Sequence, residues 1–338
     1  MKHISSAPIG VLGAGSWGTA LASCLAKNNN SVVLWDIDAS NIQLMREESM
    51  NQRYLPGIAL PKSIRFESDL NNMAGIQDLL IVVPSHAFLS LLTQISKIWD
   101  MTKLRVLFAT KGFIPDTAQF LSEALENTLG KSVPMGVISG PSFAKEVAMG
   151  LPTAVTLASK NTAFQEETQA RFHGGSFRVY TTEDLIGVQL GGAVKNVLAL
   201  AVGLSDALGY GANARAALIT RGLAEMMRLG NKLGAKPETL MGLSGLGDLL
   251  LTCTDDQSRN RRMGLKLGEG QSIANIEKEI GQVIEGKQNA HLVHLLALRH
   301  DVEMPICQMI YDILVNELPA REAVNGLLQR PSKTEQEA

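Results

Sequence analysis

A lysine inside an apolar helix is costly unless its charge is used or paired. The sequence places one at Lys195, in the run GGAVKNVLALAV. Desolvation there would lower the lysine pKa and make it a competent proton shuttle. The same side chain can instead snorkel to the surface and bury only its stem. A second lysine, Lys111, follows a strand-like run in ATKG. It would then sit at the carboxyl end of a sheet, where open α/β folds bind ligands, or be a solvated loop cation. Asp248 and Thr252 are four apart, so on a helix they share a face. Asp248 follows the flexible run GLSGLG. It can orient Lys195, bond a substrate hydroxyl, or cap the N-terminus of its helix. Ser258-Arg259-Asn260-Arg261-Arg262 is the densest basic cluster. Arg259 is the candidate to fork onto a phosphate, with Ser258 and Asn260 adding neutral hydrogen bonds. Arg261 and Arg262 read as the solvated start of a helix.

Near the N-terminus, Gly13-Ala14-Gly15-Ser16-Trp17-Gly18 is a GxGxxG that follows a strand-like run and opens a helical one. In that context it predicts a dinucleotide site. Gly13 permits the tight turn, Gly15 lets the backbone approach a pyrophosphate, and Gly18 lets helix and strand pack closely. The free N–H groups of the helix start, at Ser16 and Trp17, would face the anion. Asp36, after the second strand, lies where a carboxylate accepts the ribose 2′-hydroxyl of NAD and repels the 2′-phosphate of NADP. It can equally be a solvated loop aspartate, and Asp38 can fill the same role. Gly140, Ser142 and Ala144, in SGPSFAK, also open a helix after a strand, a geometry suited to oxyanion or phosphate contacts through backbone N–H groups. His86, in VPSH, is expected to be structural or near the cofactor.

These residues need an α/β scaffold to hold them. Short apolar runs at 9–12, 32–35, 79–83, 106–109, 137–139, 154–157 and 177–180 read as strands. Continuous apolar strands suit a parallel sheet covered by helices on both faces, although their order is not legible. Ser16 to Lys27 has helical spacing. From about Thr182 the strand-like runs stop, and 185–208, 214–233 and 291–299 read as helices. The expected organisation is α/β: a Rossmann-like doubly wound sheet at 1–182, an all-α domain at 183–330 and a frayed polar tail at 331–338.

Composition narrows the function. The chain has 338 residues, 45% apolar and 19% charged, with a formal net charge of −2. That is ample for two cores and argues against a general nucleic-acid binder. The three cysteines are Cys24, Cys253 and Cys307, with no CxxC pair, so neither a disulfide framework nor a zinc site is expected. No His, Cys, Asp and Glu cluster has metal-ligand spacing, and no metal is expected. The first apolar stretch reads as a strand and not a signal peptide. No uncharged apolar run reaches membrane-spanning length. A cytoplasmic protein with a small-molecule partner is expected.

Several segments together resemble one family. GAGSWGTALA at 13–22, VPSH at 83–86, ATKGF at 109–113 and SGPSFAKEVAMGLPTAV at 139–155 are four of them. The most specific are the long segments at 187–226 and 242–262, and the resemblance runs from about residue 8 to 330. The pattern resembles bacterial NAD(P)-dependent glycerol-3-phosphate dehydrogenases. The resemblance implies interconversion of dihydroxyacetone phosphate and sn-glycerol 3-phosphate, feeding phospholipid synthesis. It implies Lys195 as general acid for ketone reduction and base for the reverse, with Lys111 as a second substrate-side lysine. Asn196 would bond substrate or cofactor, and Val283 and Glu285 match a segment that closes over the cofactor. One departure concerns cofactor choice. The family often has a basic residue shortly after the second-strand tryptophan, where this chain has Asp36 and Ile37. The usual NADPH preference is thereby called into question, and NAD is expected to be accepted. A β-hydroxyacid dehydrogenase and a non-catalytic dinucleotide sensor are the alternatives. A homodimer is expected by analogy with other helical second domains.

Overall fold

The computed structural model describes residues 7–331 and Thr334, so most of the expected tail lies outside the described residues. The chain divides into two compact units. The first runs to Thr110 and resumes over Phe120–Leu185; the second takes Lys111–Gln119 and the chain from Ile186. The expected boundary fell after 182, and nothing in the sequence signals that 111–119 belongs with the helices.

The first unit is built on an eight-stranded sheet. Its strands are β1 (Ile9–Leu12), β2 (Val32–Trp35), β5 (Ile64–Glu67), β6 (Asp78–Ile81), β7 (Arg105–Phe108), β8 (Met135–Ser139), β9 (Thr153–Ala158) and β10 (Phe177–Thr182). A small antiparallel hairpin of β3 (Met50–Asn51) and β4 (Leu55–Ala59) stands apart from it. The sheet order is β10-β9-β8-β7-β6-β1-β2-β5. Its pairs are parallel except one: β8 and β9 run antiparallel, with Val137 opposite Ala158. The sheet is parallel-dominated, as the continuous apolar strands suggest, with this one antiparallel pair.

β1, β2 and β6 are buried along their whole length, as strands covered on two faces must be. The covering helices are α1 (Ser16–Lys27), α2 (Ala39–Glu48), α3 (Ser85–Ile98), α4 (Leu121–Leu129), α5 (Ala144–Met149) and α6 (Thr162–Phe172). The hairpin escaped the sequence because β4 is exposed at Pro56 and Gly57, so it shows no apolar alternation.

The second unit is helical. Its elements are α7 (Leu185–Ala207), α8 (Gly211–Leu233), α9 (Pro237–Leu240), α10 (Asp248–Thr254), α11 (Arg259–Gly268), α12 (Ile273–Ile280), α13 (Glu285–Arg299), α14 (Pro305–Leu314) and α15 (Ala320–Leu328). α7 is apolar and long enough to cross a membrane, but its surface is buried inside the protein. A single π-helical turn, Leu243–Gly247, leads directly into α10. The run read as flexible from its glycines is therefore mostly a helical turn. Side-chain atoms at Gly191 of α7 would collide with the backbone of Ser244, so the missing side chain lets this turn lie against α7.

Candidate active site

The glycine motif forms the turn from β1 into α1. Gly13 has φ +109°, a left-handed conformation, and a Cβ there would press 3.0 Å from the Val82 carbonyl. A Cβ at Gly18 would collide with the Gly13 carbonyl oxygen. Gly15 differs: a Cβ there would meet no protein atom within 4 Å, so protein packing does not explain this glycine. The N-cap of α1 is Gly15, and no side chain caps the first turn, where Ser16 and Trp17 begin the helix. The Trp17 indole nitrogen is buried without a hydrogen-bond partner. A cradle open at Gly15, an uncapped helix start and an unpartnered donor suit the pyrophosphate end of a dinucleotide.

Asp36, just after β2, is tied to the same turn. Its Oδ2 accepts a hydrogen bond from the Ala14 backbone N–H at 2.6 Å, and Oδ1 accepts one from the Asp38 N–H at 3.0 Å. The freely solvated alternative for Asp36 does not hold, because both carboxylate oxygens are tied to backbone. Asp38 is used otherwise: it caps α2 by accepting from the Asn41 N–H and pairs with Arg53. Gly140 and Ser142 lie between β8 and α5, where the Ser142 hydroxyl donates to the Gly140 carbonyl at 2.9 Å. Ala144 begins α5, whose first turn has no side-chain cap. His86 is exposed in the first turn of α3.

In the second unit, four predicted residues meet. Lys195 is buried in α7 between Val194 and Asn196. Its Nζ donates to Asp248 Oδ1 at 2.5 Å and to Thr252 Oγ1 at 2.9 Å. Lys111 Nζ donates to the other oxygen, Asp248 Oδ2, at 2.6 Å. Asp248 is 1% exposed and holds both ammonium groups. It opens α10 but makes no capping bond, which corrects the capping alternative. Its spacing to Thr252 does place the two on one face, both against Lys195. Burial is the main force lowering the Lys195 pKa to about 8, assisted by the neighbouring Lys111 charge and opposed by Asp248. The snorkelling alternative is excluded by these contacts.

Asn196 starts a second network in the same unit. Its Nδ2 donates to Glu285 Oε2 at 3.2 Å, and its Oδ1 accepts from Asn260 Nδ2 at 2.8 Å. Asn260 Oδ1 accepts from the Gly286 N–H at 2.9 Å. Glu285, at the start of α13, is thus tied through Asn196 to the helix that carries Lys195. Ser258 caps α11 by accepting from the Arg261 N–H. Arg259 is half-buried and donates to Gln282 Oε1 at 3.1 Å. Val283 is exposed in the adjoining loop. Arg261 corrects the solvated reading: it is buried and pairs with Asp206 and Asp256. Arg262 is half-buried as well.

This arrangement has relatives. Residues 8–165 match the NAD-dependent glycerol-3-phosphate dehydrogenase N-terminus, and residues 184–325 match the C-terminus of the same family. The chain belongs to the NAD-dependent glycerol-3-phosphate dehydrogenases. It is 51% identical to glycerol-3-phosphate dehydrogenase [NAD(P)+] of Pseudoalteromonas translucida, across 98% of this chain and 99% of that one. The enzyme of the same description from Yersinia pestis is 52% identical, across 98% of each chain. A crystal structure of glycerol-3-phosphate dehydrogenase from Coxiella burnetii superposes with a TM-score of 0.93 at 50% identity, covering 96% of this chain and 99% of that one. The family resemblance, the enzyme class and the NAD(P) cofactor expected from the sequence all stand.

Proposed function

We propose that this chain, an NAD(P)-dependent oxidoreductase acting on a CH–OH group, interconverts dihydroxyacetone phosphate and sn-glycerol 3-phosphate with Lys195 as its proton donor and acceptor. The observation that carries the role is the buried Lys195, held by Asp248 and Thr252 and poised at a pKa of about 8. A general acid works best when its pKa lies near the working pH, and an ordinary lysine lies well above it.

The Gly13–Gly18 turn and Asp36 would hold NAD(P)H, which would supply the hydride for the substrate C2. The carbonyl π pair moves onto oxygen as that bond forms, and the oxygen takes a proton from Lys195 Nζ. Lys195 is left as a neutral amine, a form that its burial favours. In the oxidation direction the same amine accepts the hydroxyl proton. Asp248 orients Lys195 and offsets the charge of Lys111, which sits on its other oxygen as a second substrate-side cation. Thr252 fixes the Nζ from a second direction. Arg259 grips the substrate phosphate, with Ser258 and Asn260 beside it and the backbone at Gly140 and Ser142 offering further donors. Asn196 and Glu285 form a bonded pair linking α7 to the loop at Val283. Ala144, Lys111, Arg259, Val283 and Glu285 complete the cofactor contacts in this reading.

The same reading has the product feeding phospholipid synthesis in the cytoplasm, which the free thiols of Cys24, Cys253 and Cys307 support. The test is spectrophotometric. Purified protein mixed with dihydroxyacetone phosphate should oxidise NADH or NADPH, and the product should be sn-glycerol 3-phosphate. Oxidation with short hydroxyacid precursors but not with the phosphate would reject it.

A further inference from the structure

The hairpin that escaped the sequence carries a cation to the cofactor turn. Asn51 of β3 is fully buried, and its Nδ2 donates to the Ala14 carbonyl and to Thr19 Oγ1, both at 2.8 Å. Three residues on, the Tyr54 carbonyl accepts from Ser16 Oγ at 2.6 Å, and the Tyr54 N–H returns to Asn51 Oδ1 at 3.2 Å. The hairpin is therefore tied to the glycine motif on both sides of Arg53. Arg53 itself lies over the Tyr54 ring, 5.1 Å from its centroid, and donates to Asp38 Oδ2 at 2.7 Å. Its side chain is 60% exposed, so the guanidinium is positioned by its neighbours yet open to a ligand. Asp38 stands two residues after Asp36, the carboxylate expected to face the ribose.

Resting on the dinucleotide site proposed above, we propose that Arg53 receives the 2′-phosphate of NADP(H). It supplies the positive charge that Asp36 and Ile37 do not supply at the end of β2. Two features of the turn favour this. The Asp36 carboxylate is already engaged by two backbone N–H groups, which offset part of its negative charge. Asp38 competes with a phosphate for the same guanidinium, so it holds Arg53 in place when the ribose carries only hydroxyls. One site then admits both cofactors. NAD(H) uses Asp36, and NADP(H) draws Arg53 away from Asp38 into a charge-assisted bond with its phosphate.

The test uses equilibrium binding of NADP+ and NAD+ to the full chain, followed by calorimetry and independent of turnover. Arg53→Ala should weaken NADP+ by about ten- to hundred-fold, the loss of one charged hydrogen-bonding partner, while NAD+ changes by less than about threefold. Arg53→Lys should recover part of the loss. Asp38→Asn keeps a side chain able to cap α2 and removes the competing charge, so it should tighten NADP+. Equal weakening of NAD+ and NADP+ in Arg53→Ala, or no change in either, would overturn the assignment. Failure of the unaltered chain to bind either nucleotide would overturn the dinucleotide reading of the glycine turn, and this inference with it.

Discussion

Replacing Asp248 by asparagine leaves two lysines, Lys195 and Lys111, beside an uncharged amide. The shape is kept and the counter-charge is lost. If both ammonium groups stayed charged, a buried ion pair would be broken at a cost of about 3–5 kcal/mol. The protein has a lower-energy response. One pKa unit corresponds to about 1.4 kcal/mol, so at pH 7 an ordinary lysine loses its proton at a cost of about 5 kcal/mol. Lys195, already lowered to about 8, does so for about 1.4 kcal/mol or less, because Asp248 was the group holding its pKa up. The variant should therefore fold, with a Tm a few degrees lower, and carry a neutral Lys195 near pH 7. The assay is kcat for dihydroxyacetone phosphate reduction from about pH 5.5 to 9. In the unaltered enzyme the rate should fall as pH rises through about 8, where Lys195 loses its proton. In Asp248→Asn that fall should move at least about one unit toward acid. An unshifted profile would refute the claim that Asp248 sets the proton affinity of Lys195.

Other outcomes follow from single groups. Burial pushes Glu225 up to about 7, although the Ile306 and Cys307 N–H groups donate to it. Its folded pKa lies above the unfolded value, so the native state binds the extra proton and stability should fall as pH rises from about 4.5 to about 7. The span corresponds to about 3 kcal/mol, and Glu225→Gln should flatten it in denaturant titrations at the two ends of that window. Ser258→Ala removes the α11 cap and should lower stability by about 1 kcal/mol, read as a shift in the denaturant midpoint. Gly18→Ala puts a methyl against the Gly13 carbonyl and should weaken dinucleotide binding measured by NADH fluorescence, whereas an unchanged affinity would contradict the close-packing argument.

The elements that were legible are those whose signal is local. β1, α1 and β2 occupy the positions expected from apolar runs and helical spacing, because a buried parallel strand must be apolar along its length. β3 and β4 were not, since a short exposed hairpin carries no such pattern. The antiparallel β9 was not either, because direction is set by the connection and not by composition. At the site, Lys195 was conspicuous by chemistry alone: a charge in an apolar helix. The Asp248–Thr252 spacing indicated a shared helix face but not the pairing with Lys195, and the family resemblance supplied the roles. Arg261 misled for the opposite reason. It reads as one of several surface cations, and the carboxylate that buries it, Asp206, lies far away in the chain at the end of α7. The Glu285–Asn196–Asn260 chain and the Arg53–Asp38 pair are likewise long-range contacts that no local pattern announces.

The most direct test of the account is Lys195→Met, which removes the ammonium group and leaves Asp248 paired with Lys111. NADH binding and kcat for dihydroxyacetone phosphate reduction would be measured on the same preparation. The account predicts a loss of about 10²–10⁴ in kcat, the range for a positioned general acid, with the NADH dissociation constant unchanged within about twofold. A variant that reduces the ketone at close to the unaltered rate would contradict it, and the proton donor would have to be another group.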